Sequence, residues 1–566
     1  MKYLRWFGRA LRPYWASVTG MMMCHVMLAL CSIAFVYVSK KLVDVAVAIL
    51  EGSDVDSGLV PLAVALASVI LVRIMLNALR SYLQTRTEIA LKNRLRYHLF
   101  NALMHVRTDG GKRHHSGDVL NRLQEDVRQV SSTLAGSIPN LFGTALQFMA
   151  AFVFLIYLDL RLALVVVVIV PLGLVTGKFV TSRIRSLSLD IRNSDSKVQS
   201  HLQESFQHLT LLQTLEYVGT SSETLGGLQN RLYGNEMRRA RFTILSRIVI
   251  SLSFSAGHAV AFLWGVWGIS TGTVTYGMMT AFLQLVGQIQ RPLVEMSGQI
   301  PSVIHATASI DRLMELEALP REAEGESVLL DAPAGVRLQD VTFSYPDSDR
   351  EILSGFSYDF VPGSRTAIVG PTGVGKSTLI RLLLALLTPQ KGEVTLYSQK
   401  NLHQCNASSS HLGAIDVSSC QIVATPASPA SRCNLVYVPQ GNTLFSGTIR
   451  ENLLMGDPSA SDEQIWKVLH IAAADFVSEL PDRLDTQCFE AGAGLSEGQA
   501  QRIAIARALL RPGSILLLDE FSSALDADTE SSLLERLTSE LPDRTMIFIT
   551  HRDRIIDFCD SVLRLG

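Results

Sequence analysis

Residues 370–378 read Gly-Pro-Thr-Gly-Val-Gly-Lys-Ser-Thr, and this stretch decides how the rest of the chain is understood. The apolar run Thr366 to Val369 before it predicts a buried strand, and Leu379 to Leu387 after it predicts a helix. That is the setting a P-loop requires. Glycines at 370, 373 and 375 let the backbone turn its amide hydrogens inward around phosphate oxygens, at the positive end of the following helix. Lys376 then reaches the outer phosphates and the Ser377 hydroxyl ligates magnesium. The full run Gly370, Pro371, Thr372, Gly373, Val374, Gly375, Lys376, Ser377 and Thr378 is therefore taken as nucleotide-binding.

The 566 residues carry a formal net charge of −2, which excludes nucleic acid as an electrostatic partner and leaves room for more than one domain. Long apolar runs crowd the first three hundred residues, and the remainder has the composition of a soluble α/β domain. The seven cysteines, at 24, 31, 405, 420, 433, 488 and 559, form no CxxC pair and read as free thiols. Cys405, Cys420 and Cys433 with His403 and His411 match no standard zinc spacing.

Residues 2–15, KYLRWFGRALRPYW, predict a helix at the cytoplasmic interface, and the apolar segment after them is too long for a cleaved signal. Six runs are long enough to cross a bilayer: 17–39, 58–80, 136–158, 161–182, 245–269 and 276–298. The long connections 81–135 and 183–244 are rich in arginine and lysine. The positive-inside rule places them in the cytoplasm with both termini. Each reads as a helical stalk whose turn, near 109–118 and near 204–215, docks a partner. Within the spans Arg73, Lys178, His25 and His258 are costly in hydrocarbon. Arg73 reads as internally paired or lining a watery cavity, with substrate contact as the alternative; Lys178 reads as snorkelling. The walls otherwise look aliphatic. Residues 1–318 form the transmembrane domain, 319–335 a polar linker and 336–566 the cytosolic domain.

In the cytosolic part, Leu338 to Tyr345 predicts a strand whose terminal Tyr345 is placed to stack on an adenine. Asn434 to Gln440 predicts another strand, with Gln440 poised as a further magnesium ligand. Ser461 to Gln464 has capping-box spacing. Ser514 to Leu518 places Asp519 and Glu520 at a strand's carboxyl end. Asp519 would hold magnesium through water, and Glu520 would orient and deprotonate an attacking water. Thr545 to Thr550 is a further strand, ending at His551, which would donate to the γ-phosphate. The catalytic set is thus Glu520, His551 and Lys376, and the magnesium set Ser377, Gln440 and Asp519. Leu495 to Gln499, LSEGQ, opens a helix and offers a second anion site that one P-loop does not need.

In this order, Tyr345, GPTGVGKST, Gln440, LSEGQ, ILLLDE, SALD (Ser523 to Asp526) and His551 resemble an exporter-type half-transporter of the ATP-binding cassette (ABC) family. The resemblance covers nearly the whole chain. It implies a six-helix all-α membrane domain joined to a cytosolic α/β nucleotide-binding domain, with ATP and Mg2+ as cofactors. Two cassettes would sandwich two ATP molecules head to tail, so that Ser496, Gly498, Gln499 and Asp526 bind nucleotide across the dimer. The partner is a second copy of the chain, or else a homologous half-transporter. Export or flipping of an amphipathic substrate across a bacterial inner membrane is implied. A nucleotide-gated channel, a regulatory membrane protein or an importer of the same fold are the alternatives, and intact Asp519, Glu520 and His551 favour turnover.

Three departures from the family pattern stand out. Glu497 occupies the first glycine position of the usual LSGGQ, and Phe489 stands where glycine is frequent. Lys376 and Gln440 are also unusually far apart, and the surplus is expected as a flexible surface loop within 403–432.

Overall fold

A computed structural model describes residues 2–51, 58–107, 116–323, 325–345, 350–401, 420–489 and 494–566. The chain divides into two compact units, Met1–Asn101 with His115–Glu317, and Ala102–His114 with Ala318–Gly566.

Among the described residues, the regular structure of the first unit is all helix. α1 (Lys2–Leu11) lies at the amino terminus, and α2 (Trp15–Leu50) and α3 (Leu59–Met104) follow. The return from the first turn begins with α4 (Ser116–Asn121) and α5 (Val127–Ser132), separated by π-helical turns at Arg122–Asp126 and Thr133–Ser137, and continues as α6 (Ile138–Leu158). Asp159 ends it and caps α7 (Leu160–Gln207), its carboxylate accepting from the Arg161 and Leu162 amides at 2.8 and 3.1 Å. The second stalk turns through α8 (Leu209–Thr214) and climbs as α9 (Val218–Ser270), and α10 (Tyr276–Glu317) descends again.

The six apolar runs fall in α2, α3, α6, α7, α9 and α10. Among the described residues four stretches are long and apolar enough to cross a membrane: Arg5–Leu50, Leu59–Met104, Gly117–Leu158 and Val218–Ser270. Of the other two, the side chains of 165–181, Lys178 among them, lie outside what is described. α10 contains Pro292 and Pro301 within one continuous helix and carries Arg291 and Glu295, which dilute its hydropathy. Val36, Leu155, Leu162, Ala261, Phe282 and Leu285, drawn from five helices, form the core of this unit.

A polar clamp fixes the foot of the first return helix to α10. Asp126, only 4% exposed, accepts from Ser309 Oγ and Arg312 Nε at 2.8 Å each, and Arg122 Nη1 donates to Glu315 at 2.9 Å. A buried carboxylate satisfied in this way fixes geometry rather than adding much net stability. The expected turn near 109–118 lies mostly outside the described residues. The turn near 204–215 is described, and Leu209, Leu211, Leu215 and Tyr217 are exposed there.

The second unit contains two main sheets. β1 (Ala334–Ser344), β2 (Glu351–Phe360), β4 (Lys391–Asn401) and β5 (Cys420–Pro426) pair antiparallel in the order β2-β1-β4-β5. The surplus residues of 403–432 are thus only partly loop. Ile422 and Val423 favour extended backbone, and Cys420 to Pro426 pairs with Asn401 to Thr395 as an edge strand. Residues 402–419 lie outside the described ones.

The other sheet is parallel throughout, with order β11-β3-β10-β9-β6, where β3 is Arg365–Val369, β6 Leu435–Val438, β9 Ile515–Asp519, β10 Thr545–Ile549 and β11 Ser561–Arg564. Its strands are near-continuous apolar runs because both faces are covered. α11 (Lys376–Leu383) packs on one side with Leu379, Ile380 and Leu383 buried. On the other side lies the core of α12 (Ile449–Leu454), α13 (Asp462–Ile471), α14 (Glu497–Leu509) and α15 (Ala527–Glu540), with Ile555 of α16 (Asp553–Asp557). A short ladder of β7 (Gly447–Thr448) and β8 (Gln487–Cys488) holds the loop ahead of α12. The predicted capping box forms, with Ser461 Oγ accepting from the Gln464 amide at 3.3 Å.

Candidate functional site

The parallel register sets the site. Ile549 of β10 lies level with Ile368 of β3 and with Asp519 of β9, and Val438 of β6 lies level with Leu518. Four neighbouring strands therefore end at one edge, delivering in spatial order the glycine-rich loop, His551, the Asp519–Glu520 pair and Gln440. Ligands collect at the carboxyl edge of such a sheet. The loop turns at Gly373 (φ 84°) and Gly375 (φ 113°), conformations that only glycine adopts without strain. α11 then begins at Lys376, three residues earlier than the apolar pattern suggests.

Lys376 is 8% exposed, and its ammonium donates to the Gly370 carbonyl at 2.5 Å and to His551 Nε2 at 2.7 Å. Neither partner is anionic. A buried cation facing the mouth of a nest of amides, with neutral partners only, suits a polyphosphate. His551 Nε2 is an acceptor in this arrangement, so it becomes a donor to a phosphate only when the proton moves to that nitrogen. The same nitrogen lies 3.9 Å from Glu520 Oε1.

Glu520 is held from three directions. Gln440 Nε2 donates to Glu520 Oε2 at 2.5 Å, Gln501 Nε2 from α14 reaches the Glu520 carbonyl at 3.4 Å, and the Glu520 amide donates to the Ile549 carbonyl at 3.0 Å. These bonds hold a left-handed backbone, φ 44°, at a non-glycine residue, a strain of about 1–3 kcal/mol. Asp519 beside it receives the Tyr437 hydroxyl at 3.3 Å, and burial holds its carboxyl above the usual carboxylate range. Ser377, Gln440 and Asp519 offer one hydroxyl, one amide oxygen and one carboxylate. Among the described residues no cluster of three His, Cys, Asp or Glu could hold a metal alone. That donor set fits Mg2+, which takes few protein ligands and completes its shell with phosphate and water.

Tyr345 lies just beyond β1, its hydroxyl 3.2 Å from Thr378 Oγ1 and from Arg381 Nη1 and its ring edge-on to Phe343 at 5.1 Å. It thus stands over the first turn of α11. LSEGQ forms the amino end of α14, where Ser496 caps the Gln499 amide at 3.2 Å and Gln499 Oε1 answers the Ser496 amide at 2.9 Å. Ser496 and Glu497 are exposed. A β-carbon on Gly498 would come within 2.7 Å of the Ala524 carbonyl, so SALD requires glycine there but makes no such demand of position 497. Asp526 caps α15 through Thr529, accepting from its amide at 3.1 Å and its hydroxyl at 2.8 Å. Among the described residues no hydrogen bond joins 495–499 to the glycine-rich loop of the same chain.

Residues 18–293 match the family model of the ABC transporter transmembrane region, and residues 353–523 match that of the ABC transporter. A multidrug resistance ABC transporter ATP-binding and permease protein of Lactococcus lactis subsp. lactis (strain IL1403) is 30% identical over 486 residues, 84% of this chain and 77% of that protein. The chain belongs to the ABC transporter family. The ABC transporter is also 28% identical to an ATP-dependent lipid A-core flippase of Pseudomonas fluorescens (strain Pf0-1) over 489 residues, 86% of this chain and 77% of that one. Its fold matches the structure of a bacterial Atm1-family ABC exporter with ATP bound, at TM-score 0.76 and 24% identity, across 98% of this chain and 94% of that one. It is an exporter-type half-transporter, an integral multi-pass membrane protein that couples ATP hydrolysis to transport.

The transporter's membrane unit contains a cavity of about 620 Å³ among α2, α3, α6 and α10, lined by His25, Arg73, Arg80, Asn140, Gln288 and Arg291 among others. The largely aliphatic wall expected from the spans is not what forms here. Polar residues about a turn apart on α3 and on α10, diluted in apolar runs, meet those of α2 and α6 only when the helices pack. Arg73 lines this cavity, as one of its two readings anticipated. Arg80, Gln284, Gln288 and Gln299 line it too without having been singled out by the sequence pattern, although glutamine and arginine inside an apolar run are themselves a signal.

Proposed function

We propose that the transporter works as a homodimer that binds two ATP molecules, each between the GPTGVGKST loop of one copy and the LSEGQ helix of the other, and exports or flips an amphipathic molecule. The observation that carries this is that, among the described residues of one chain, no hydrogen bond joins the glycine-rich loop to the exposed start of the LSEGQ helix. Each is half a site. ATP binding joins two copies, and the membrane helices switch from inward- to outward-facing. Hydrolysis resets them.

In this reading Lys376 and the loop amides hold the phosphates and Tyr345 stacks on the adenine. Glu520, already oriented by Gln440, takes the proton of the attacking water, and His551 supports the γ-phosphate. Ser377, Gln440 and Asp519 would hold Mg2+, which when bound neutralises charge on the phosphate oxygens. The exposed leucines of α8 support its role as a docking tip. Kinship with bacterial transporters supports placement in the inner membrane, with cassettes and termini in the cytoplasm.

The test is a cysteine pair, Thr372→Cys with Ser496→Cys, in a Glu520→Gln background that retains ATP. ATP should promote an inter-chain disulfide that the single substitutions do not give. Cross-linking that ignores ATP, or none at all, refutes the head-to-tail arrangement.

A further inference from the structure

We infer that the cavity among α2, α3, α6 and α10 is a binding site for an anionic headgroup, phosphate or carboxylate, carried by the transported amphiphile. This rests on the transporter reading above and adds the class of substrate to it. Three arginines, Arg73, Arg80 and Arg291, meet a single acidic residue, Glu295, which pairs with Arg291 at 2.9 Å. Two guanidinium groups are left over. Arg80 Nη1 is steadied by Asn140 Oδ1 at 3.1 Å, and among the described residues neither Arg73 nor Arg80 has a carboxylate partner.

The second observation is independent of charge count. His25 is 7% exposed and its Nε2 has no hydrogen-bond partner, nor do Arg80 Nε and the amide oxygens of Gln284 and Gln299. All four residues line the same cavity. Polar atoms buried in a membrane protein without partners are costly, and they mark ligand paths. Arg73 and Arg80 without carboxylate partners, with the unpartnered Arg80 Nε and His25 Nε2 on the same cavity, suit a phosphate or carboxylate, while the Gln284 and Gln299 oxygens would accept from a hydroxyl carried beside it. A cationic headgroup would be repelled, and a neutral one would leave both charges unpaired.

Depth agrees with this assignment. At 1.5 Å rise per residue, Arg73 and Arg291 lie about 21–23 Å along α3 and α10 from their outer ends, Leu59 and Tyr276. That places the cavity in the cytoplasmic half of the bilayer, where an inner-leaflet amphiphile presents its headgroup. An open groove lined by Ile33, Met149, Val153 and Phe154 runs along α2 and α6 and offers a tail an apolar path.

The test measures equilibrium binding to the full-length transporter in phosphatidylcholine nanodiscs without nucleotide. The probes are an alkyl phosphate, an alkyl trimethylammonium and an alkyl glucoside of equal chain length, with inorganic phosphate as competitor. The alkyl phosphate should bind best. Arg73→Gln and Arg80→Gln should each weaken it by about ten-fold or more while leaving the glucoside unchanged, and Arg80→Lys, which keeps the charge but not the planar donor set, should restore only part of the loss. Displacement by inorganic phosphate would show that the headgroup suffices, and failure to displace would show that the tail is needed as well. Equal affinity for the three amphiphiles, or wild-type phosphate binding by both glutamine variants, overturns the assignment. Because binding is measured without ATP, absence of ATPase activity in a separate assay with ATP would refute the transport cycle and leave the anion site standing.

Discussion

Gln440 Nε2 donates to Glu520 Oε2 at 2.5 Å, joining the end of β6 to the end of β9 across 80 residues of sequence. The bond commits the glutamine nitrogen to the carboxylate, so the amide oxygen is the atom it can present to a cation. It also ties the orientation of Glu520 to the loop that follows Gln440.

Glu520→Gln keeps the shape of that contact and removes the base. ATPase turnover should fall by about 100-fold or more while ATP affinity holds. Steady-state hydrolysis together with nucleotide binding tests this; equal losses in both would mean that Glu520 acts through folding.

Glu497→Gly should retain or raise ATPase activity, because the Glu497 side chain is exposed at the start of α14 and its loss restores the family's glycine. Gly498→Ala should do the opposite, since the added carbon meets the Ala524 carbonyl at 2.7 Å. A near-complete loss with Glu497→Gly would show that its carboxylate has a positive role.

Asp519 titrates above its usual range because it is buried. A carboxylate raised in the folded state binds more protons there than in the unfolded chain. Its contribution to stability therefore falls as pH rises from the ordinary value of about 3.9 through the higher folded value. Asp519→Asn should remove that decline. In nucleotide-free thermal melts the variant should gain more over wild type at neutral pH than at acid pH, while losing Mg2+-dependent hydrolysis. An equal gain at both pH values would contradict the assignment.

Gly143→Ala should lower the thermal midpoint, since a β-carbon there falls on the His25 ring. The cost of overpacking is about 1–3 kcal/mol. An unchanged melt would mean that His25 has space to move.

The candidate nucleotide residues are legible in the sequence because a phosphate cradle is a local motif. GPTGVGKST, LSEGQ and LLLDE each hold their chemistry within a few bonded neighbours. Helix and strand placement follows from periodicity to within a few residues, as at α13 and β10. The insert is less legible. Serine- and alanine-rich sequence reads as loop, yet Cys420 to Pro426 pairs as an edge strand, because a hairpin partner is invisible to local propensity.

Sequence alone carried the two-part fold class, a helical membrane domain and an α/β nucleotide-binding domain. Tertiary structure alone decided which residues meet. Parallel register put His551 between Lys376 and Glu520, and the close approach of the Ala524 carbonyl made Gly498 rather than position 497 the constrained glycine. Packing of four helices gathered Arg73, Arg80, His25 and their neighbours into one polar cavity. Those side chains are sparse exceptions within apolar runs, and only convergence in space turns scattered exceptions into a site.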